Sequence, residues 1–130
     1  MGSSTALHEQ LAARPQSIGR LRHAVVAFAG SGGASAGQCA TIALAVSEAL
    51  NNAVLHAYLG LAEPGVMAID AHVREHLLEV VVCDEGSGMR PRTDSPGVGL
   101  GLPLIARLTE RLEITDTEPG VAVRMTFAIG

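Results

Sequence analysis

From about residue 35 to residue 58 the chain carries one apolar stripe at helical spacing, Ile42, Val46, Leu50, Ala53 and Ala57. A helix that long and that one-sided must lie on an apolar surface supplied by the rest of the sequence. The β-prone runs at about 66–73 and 77–84 are separated only by Arg74-Glu75-His76 and read as a hairpin. Two more, at about 112–117 and 121–129, flank the turn Glu118-Pro119-Gly120. Val80-Val81-Val82-Cys83 marks a central strand. Pro15 and Ser17 open a second helix to about Ala29, with Ile18, Leu21, Val25 and Phe28 on one face, and Gly30-Ser31-Gly32-Gly33 stops it. A third helix is expected to begin near Leu102-Pro103 and end near Arg111, while the stretch at about 7–13 is short and mixed. Strands grouped in hairpins, apart from the helices, predict an α+β two-layer sandwich with a mixed, mainly antiparallel sheet and helices on one face. No internal repeat or second pattern is present, so residues 1–130 are expected to form a single domain.

Composition narrows the chemistry. Hydrophobic residues are 48% of the chain but aromatics only 2%, so Ala, Val and Leu fill the core and no platform exists for stacking bases. A net charge of −4 provides no basic field for nucleic acid or an acidic membrane. All 9 basic residues are arginines, which excludes the Walker A lysine, the protein-kinase strand lysine and Schiff-base chemistry. Cys39 and Cys83 are too few for a disulfide framework or a four-thiolate zinc site, and a reducing cytoplasm is expected. Apolar stretches are broken by Glu48, Glu79 or Asp84 well before the roughly 20 residues of a membrane helix. Residues 1–5 lack the basic and apolar regions of a signal peptide.

Three motifs carry chemistry. On the long helix Glu48, Asn52 and His56 recur every fourth residue opposite the apolar stripe, presenting a carboxylate, an amide and an imidazole together. Taken alone, that pattern also describes a solvated helix face. Asp84-Glu85-Gly86-Ser87-Gly88-Met89 follows the central strand directly. A carboxylate at the end of a buried strand is costly unless a donor meets it, and the two glycines allow close ligand approach. Gly97-Val98-Gly99-Leu100-Gly101-Leu102-Pro103 leads into the third helix, whose free N–H groups make an anion site. Leu102 stands where a dinucleotide fingerprint needs glycine.

The order E-x-x-x-N-x-x-x-H-A-Y, D-x-G-x-G, G-L-G-L resembles the ATP-binding fold shared by gyrase B, ninety-kilodalton chaperones, histidine kinases and MutL-type proteins. Within it, the chain is most similar to the anti-sigma-factor serine kinases, a likeness that extends to 17–28, Leu44-Ala45-Val46-Ser47-Glu48-Ala49 and Val123-Arg124-Met125-Thr126-Phe127. The resemblance implies that Asn52 holds Mg²⁺ on the phosphates of ATP and that Asp84 accepts a hydrogen bond from the adenine amino group. It implies further that Gly86 and Gly88 shape the purine pocket and that Gly99, Gly101 and Leu102 offer amides to the phosphates. Residues 90–96, with Arg90 and Arg92, match the lid, Glu48 the general base, and His56 and Tyr58 supporting residues. Arg22 matches an arginine that grips a sigma factor. One departure is Val121, where the family usually has a threonine supporting the adenine contact. A bridging hydrogen bond is worth about 0.5–1.5 kcal/mol, so weaker but not abolished ATP binding is expected. The implied function is an anti-sigma regulatory factor that phosphorylates a serine of an anti-sigma antagonist protein, sequesters a sigma factor and forms a homodimer. Alternatives are a nucleotide-binding interaction module without kinase activity and a stand-alone histidine-kinase ATP domain.

Overall fold

The computed structural model describes residues 6–58, 65–84, 98–116 and 120–130, without the side chains of 56–58, 98–101 and 116. The elements run β1 (Ala6–Ala12), α1 (Pro15–Ser31), α2 (Ala36–Tyr58), β2 (Val66–Arg74), β3 (Leu77–Asp84), α3 (Val98–Leu108), β4 (Arg111–Asp116) and β5 (Val121–Ala128). They form one sheet in the order β1-β2-β3-β5-β4, and every described pairing is antiparallel. The α+β sandwich stands, with an antiparallel sheet rather than a mixed one.

Alternation along the strands decides where the helices lie. Met67, Ile69 and Ala71 of β2, Leu78, Val80 and Val82 of β3, and Val121, Val123, Met125 and Phe127 of β5 are buried on one face. Against it pack Leu21, Val25 and Ala29 of α1, Ile42, Ala45, Val46, Ala49, Leu50 and Ala53 of α2, and Ile105 of α3. Small residues on α2 let that helix approach β3 closely, which suits a core with so few aromatic rings. The opposite sheet face is polar and holds the pairs His8–Asp70 at 2.6 Å and Arg124–Glu79 at 3.9 Å. Such exposed pairs contribute little to stability.

Pro15 occupies the first turn of α1, and the helix closes in a Schellman motif. Ala34 N–H reaches the Ala29 carbonyl at 3.0 Å and Gly33 N–H the Gly30 carbonyl at 3.1 Å, with Gly33 at φ 109°. A capping box starts α2: Ser35 Oγ accepts from Gln38 N–H at 3.1 Å, and Gln38 Oε1 accepts from Ser35 N–H at 2.8 Å. Gln38 Oε1 also accepts from Gly130 N–H at 3.1 Å, tying α2 to the chain beyond β5.

Two expectations change. Residues 6–12 are an edge strand, although only Leu7 and Leu11 turn even partly inward. The third helix spans 98–108 instead of beginning near 102 and ending near 111, and Pro103 lies inside it. Leu102, Ile105 and Leu108 pack on the core at helical spacing, so the core side sets the phase, and glycines before the proline oppose it only by about 1 kcal/mol each. At the other end Thr109 Oγ1 donates to the Ile105 carbonyl at 2.9 Å, and Glu110 N–H has already turned to the Thr126 carbonyl at 2.7 Å.

Ser35→Ala is expected to destabilise the domain by about 1 kcal/mol through loss of the cap. Urea unfolding checks it as a lowered midpoint at unchanged slope.

Candidate functional site

Strand register identifies the end of the sheet at which the predicted residues gather. Asp84 is the last residue of β3 and pairs with Met67 at the start of β2 and Val121 at the start of β5. At the far end, Leu77 pairs with Ala128 and Arg111 with Thr126. Because α3 stops at Leu108, just before Arg111, its N-terminus points toward the Asp84 end. The Gln38–Gly130 hydrogen bond holds the start of α2 at the far end. The C-terminal half of α2, with Asn52 and His56, therefore runs toward Asp84 as well. Glu48 lies one turn, about 6 Å, behind Asn52.

Asp84, the C-terminal half of α2 and the N-terminus of α3 thus lie at one end of the sheet. Asp84 follows the inward parity of Val80 and Val82 and is only 7% exposed. Its cross-strand neighbours Met67 and Val121 are apolar and buried, so the two strands beside it pack apolar side chains at this level of the sheet. Gly120 is packed onto it so closely that a Cβ there would lie 1.7 Å from the Asp84 carbonyl oxygen. Glu48 and Asn52 are half-buried, whereas Ile42, Val46, Leu50 and Ala53 on the core side of the helix are buried. Leu44 and Leu55, at 46% and 44% exposure, flank Glu48 along the outward face of α2.

The donor set suits a nucleotide with a hydrated divalent cation. An amide oxygen from Asn52 is a hard ligand of the kind Mg²⁺ takes singly when phosphates and water complete its shell. Gly99 and Gly101 lie in the first turn of α3, and Leu102 begins the next. The amides of that first turn lack intrahelical acceptors and favour anions. A buried carboxylate is a strong acceptor for an exocyclic amine. Gly86, Gly88 and residues 90–96 lie outside the described residues, as do the side chains of His56 and Tyr58.

The sequence marks Gly120 as the turn glycine after Pro119 and as the residue before Val121 in the family's last motif, with no site role of its own. Val121, the departure from the family threonine, does stand on the Asp84 face, and Thr126 stands on the other, paired with Glu79. Arg22 on α1 extends its Nη1 to Ser47 Oγ of α2 at 3.4 Å, one residue before Glu48. Cys83 points to the outer sheet face. Burial pushes its thiol pKa up, the charges of Asp70 and Asp84 add to the rise, and Arg124 opposes it.

The family described as the histidine kinase-like ATPase domain matches residues 11–127. An anti-sigma F factor of Caldanaerobacter subterraneus subsp. tengcongensis is 32% identical, over 84% of this chain and 83% of that protein. A serine-protein kinase RsbW of Bacillus pumilus is 32% identical over 90% of this chain and 82% of its own length. Among solved structures, the RsbU and RsbW domains of a Mycobacterium tuberculosis protein align with a TM-score of 0.76 at 22% identity. That match covers 97% of this chain, which spans 33% of the longer one, and it bears on the fold.

Because its thiol is held neutral, Cys83 is expected to react slowly with iodoacetamide at neutral pH. In a Cys39→Ser background, the alkylation rate of the folded protein should rise at a higher pH than that of the urea-unfolded chain.

Proposed function

The chain belongs to the histidine kinase-like ATPase domain family, and on that footing we propose that it is an anti-sigma regulatory factor: an ATP-dependent protein-serine kinase that also sequesters a sigma factor. The observation that carries the reading is the buried Asp84 at the end of the sheet shared by the Asn52 half of α2 and the start of α3. Relatives named anti-sigma F factor and serine-protein kinase, matched over more than four fifths of both chains, support the same role.

In this reading Asp84 accepts a hydrogen bond from the adenine 6-amino group, its burial strengthening that bond and excluding competing water. Gly86 and Gly88 leave room for the purine. Amides at Gly99, Gly101 and Leu102 hold the phosphates, and Asn52 holds Mg²⁺ by its side-chain oxygen. The cation, when bound, neutralises charge on the phosphate oxygens. Glu48 orients a serine hydroxyl of the antagonist protein and takes its proton as the seryl oxygen bonds to the γ-phosphorus. The bond to the β,γ-bridging oxygen breaks and ADP leaves. The phosphoserine carries about −1.5 to −2 charges, which repel the acidic kinase and free it for its sigma factor. A cytoplasmic homodimer is the proposed working form. No helix of the described residues is long and apolar enough to cross a membrane.

Calorimetric titration with MgATP tests the site. Asp84→Asn is expected to weaken binding at least about tenfold, since a hydrogen bond to a charged group is lost. Asn52→Ala should remove most of the Mg²⁺ dependence. Wild-type protein that binds no MgATP would refute the reading and leave a protein-binding scaffold. Glu48→Gln should lower transfer to the antagonist serine by about 10²-fold or more at little cost in ATP affinity. Acid-stable phosphoserine on the antagonist separates this reading from a histidine-kinase domain. Val121→Thr is expected to strengthen MgATP binding by about two- to tenfold, the worth of one restored hydrogen bond beside Asp84.

A further inference from the structure

The backbone of Gly120 packs directly on the backbone of Asp84. A Cβ on Gly120 would lie 1.7 Å from the Asp84 carbonyl oxygen, 2.5 Å from its carbonyl carbon and 3.0 Å from Oδ1. All three atoms belong to Asp84, and two of them cannot rotate away. Relief requires that the last peptide of β3 or the first of β5 move by more than an ångström. Asp84 has little freedom to absorb that shift, because Met67 and Val121 hold it on either side at 0% and 3% exposure. The place of the Asp84 backbone, which carries the carboxylate, therefore depends on how closely the start of β5 presses on the end of β3.

We propose that Gly120, backed by Val121, is the positioning device for the Asp84 carboxylate and thereby sets a preference for 6-aminopurine nucleotides over 6-oxopurine ones. The inference rests on the adenine-reading role proposed for Asp84. A hydrogen bond to the 6-amino group needs a separation near 2.9 Å and a nearly straight N–H···O angle, and it weakens steeply when either is lost. Moving the carboxylate by an ångström loses the discrimination, while phosphate contacts at α3 and Asn52, on other elements, remain.

The test compares equilibrium binding of MgATP and MgITP, which differ at the purine 6-position, in wild type, Asp84→Asn, Gly120→Ala and Val121→Ala. Wild type is expected to prefer ATP at least about tenfold, because a carboxylate facing a 6-oxo group pairs acceptor with acceptor. Asp84→Asn should abolish that preference. Gly120→Ala should reduce it to within about threefold of unity by weakening ATP alone, with MgITP affinity nearly unchanged, and Val121→Ala should reduce it part of the way. A wild type without preference refutes the role of Asp84 itself. If wild type discriminates and Asp84→Asn does not, two outcomes overturn the positioning role: a retained preference in Gly120→Ala, or equal losses for both nucleotides. Should Gly120→Ala not fold, Val121→Ala decides: an unchanged ATP preference overturns the proposal, and a lowered one at constant MgITP affinity supports it.

Discussion

The packing of α2 on the inward face of the sheet is the contact on which the rest of the domain depends. Ile42, Val46, Leu50 and Ala53 bury one side of that helix against strands whose inward residues are almost all aliphatic. With one phenylalanine, Phe127, among the buried residues, the core is made by close approach of small and branched side chains. The closeness has a functional consequence. A helix pressed flat on the sheet must expose its opposite face, and that face carries Glu48 and the edge of Asn52. Core and site are two sides of one element.

The functional end owes its character to polarity of direction. β3 and the C-terminal half of α2 run toward it, and α3 begins there, so the Asp84 carboxylate, the Asn52 half of α2 and the first-turn amides of α3 lie at the same end of the sheet. Membership of the histidine kinase-like ATPase family fits this asymmetry. A carboxylate at 7% exposure at the end of a central strand is an uncommon placement, because burying a charge is costly unless a partner meets it.

Most elements could be read directly because their periodicities are strong: α1, α2, β2, β3 and β5 each show the expected spacing within a residue or two. β1 could not, since Glu9 breaks the inward alternation of Leu7 and Leu11, and an edge strand paired only with β2 needs little hydrophobic signal. The start of α3 is not legible, because proline is itself a first-turn signal, whereas packing of Leu102 and Ile105 on the core accompanies a helix that begins four residues earlier, among glycines. The Ser35–Gln38 capping box is legible as S-x-x-Q just before the apolar stripe, because its two hydrogen bonds need only residues three apart.

By itself the sequence determined the class of fold, the apolar and polar faces of α2, and the motifs that make Glu48, Asn52 and Asp84 the candidates for the proposed chemistry. Those follow from local spacing and from residue types whose physical chemistry is fixed wherever they stand. Only the tertiary structure decided that Val121 is the cross-strand neighbour of Asp84 and that Gly120 presses on its carbonyl, across 36 positions of sequence. Such proximity arises from strand register, set by the burial of whole strands, and no local pattern around residue 120 encodes it.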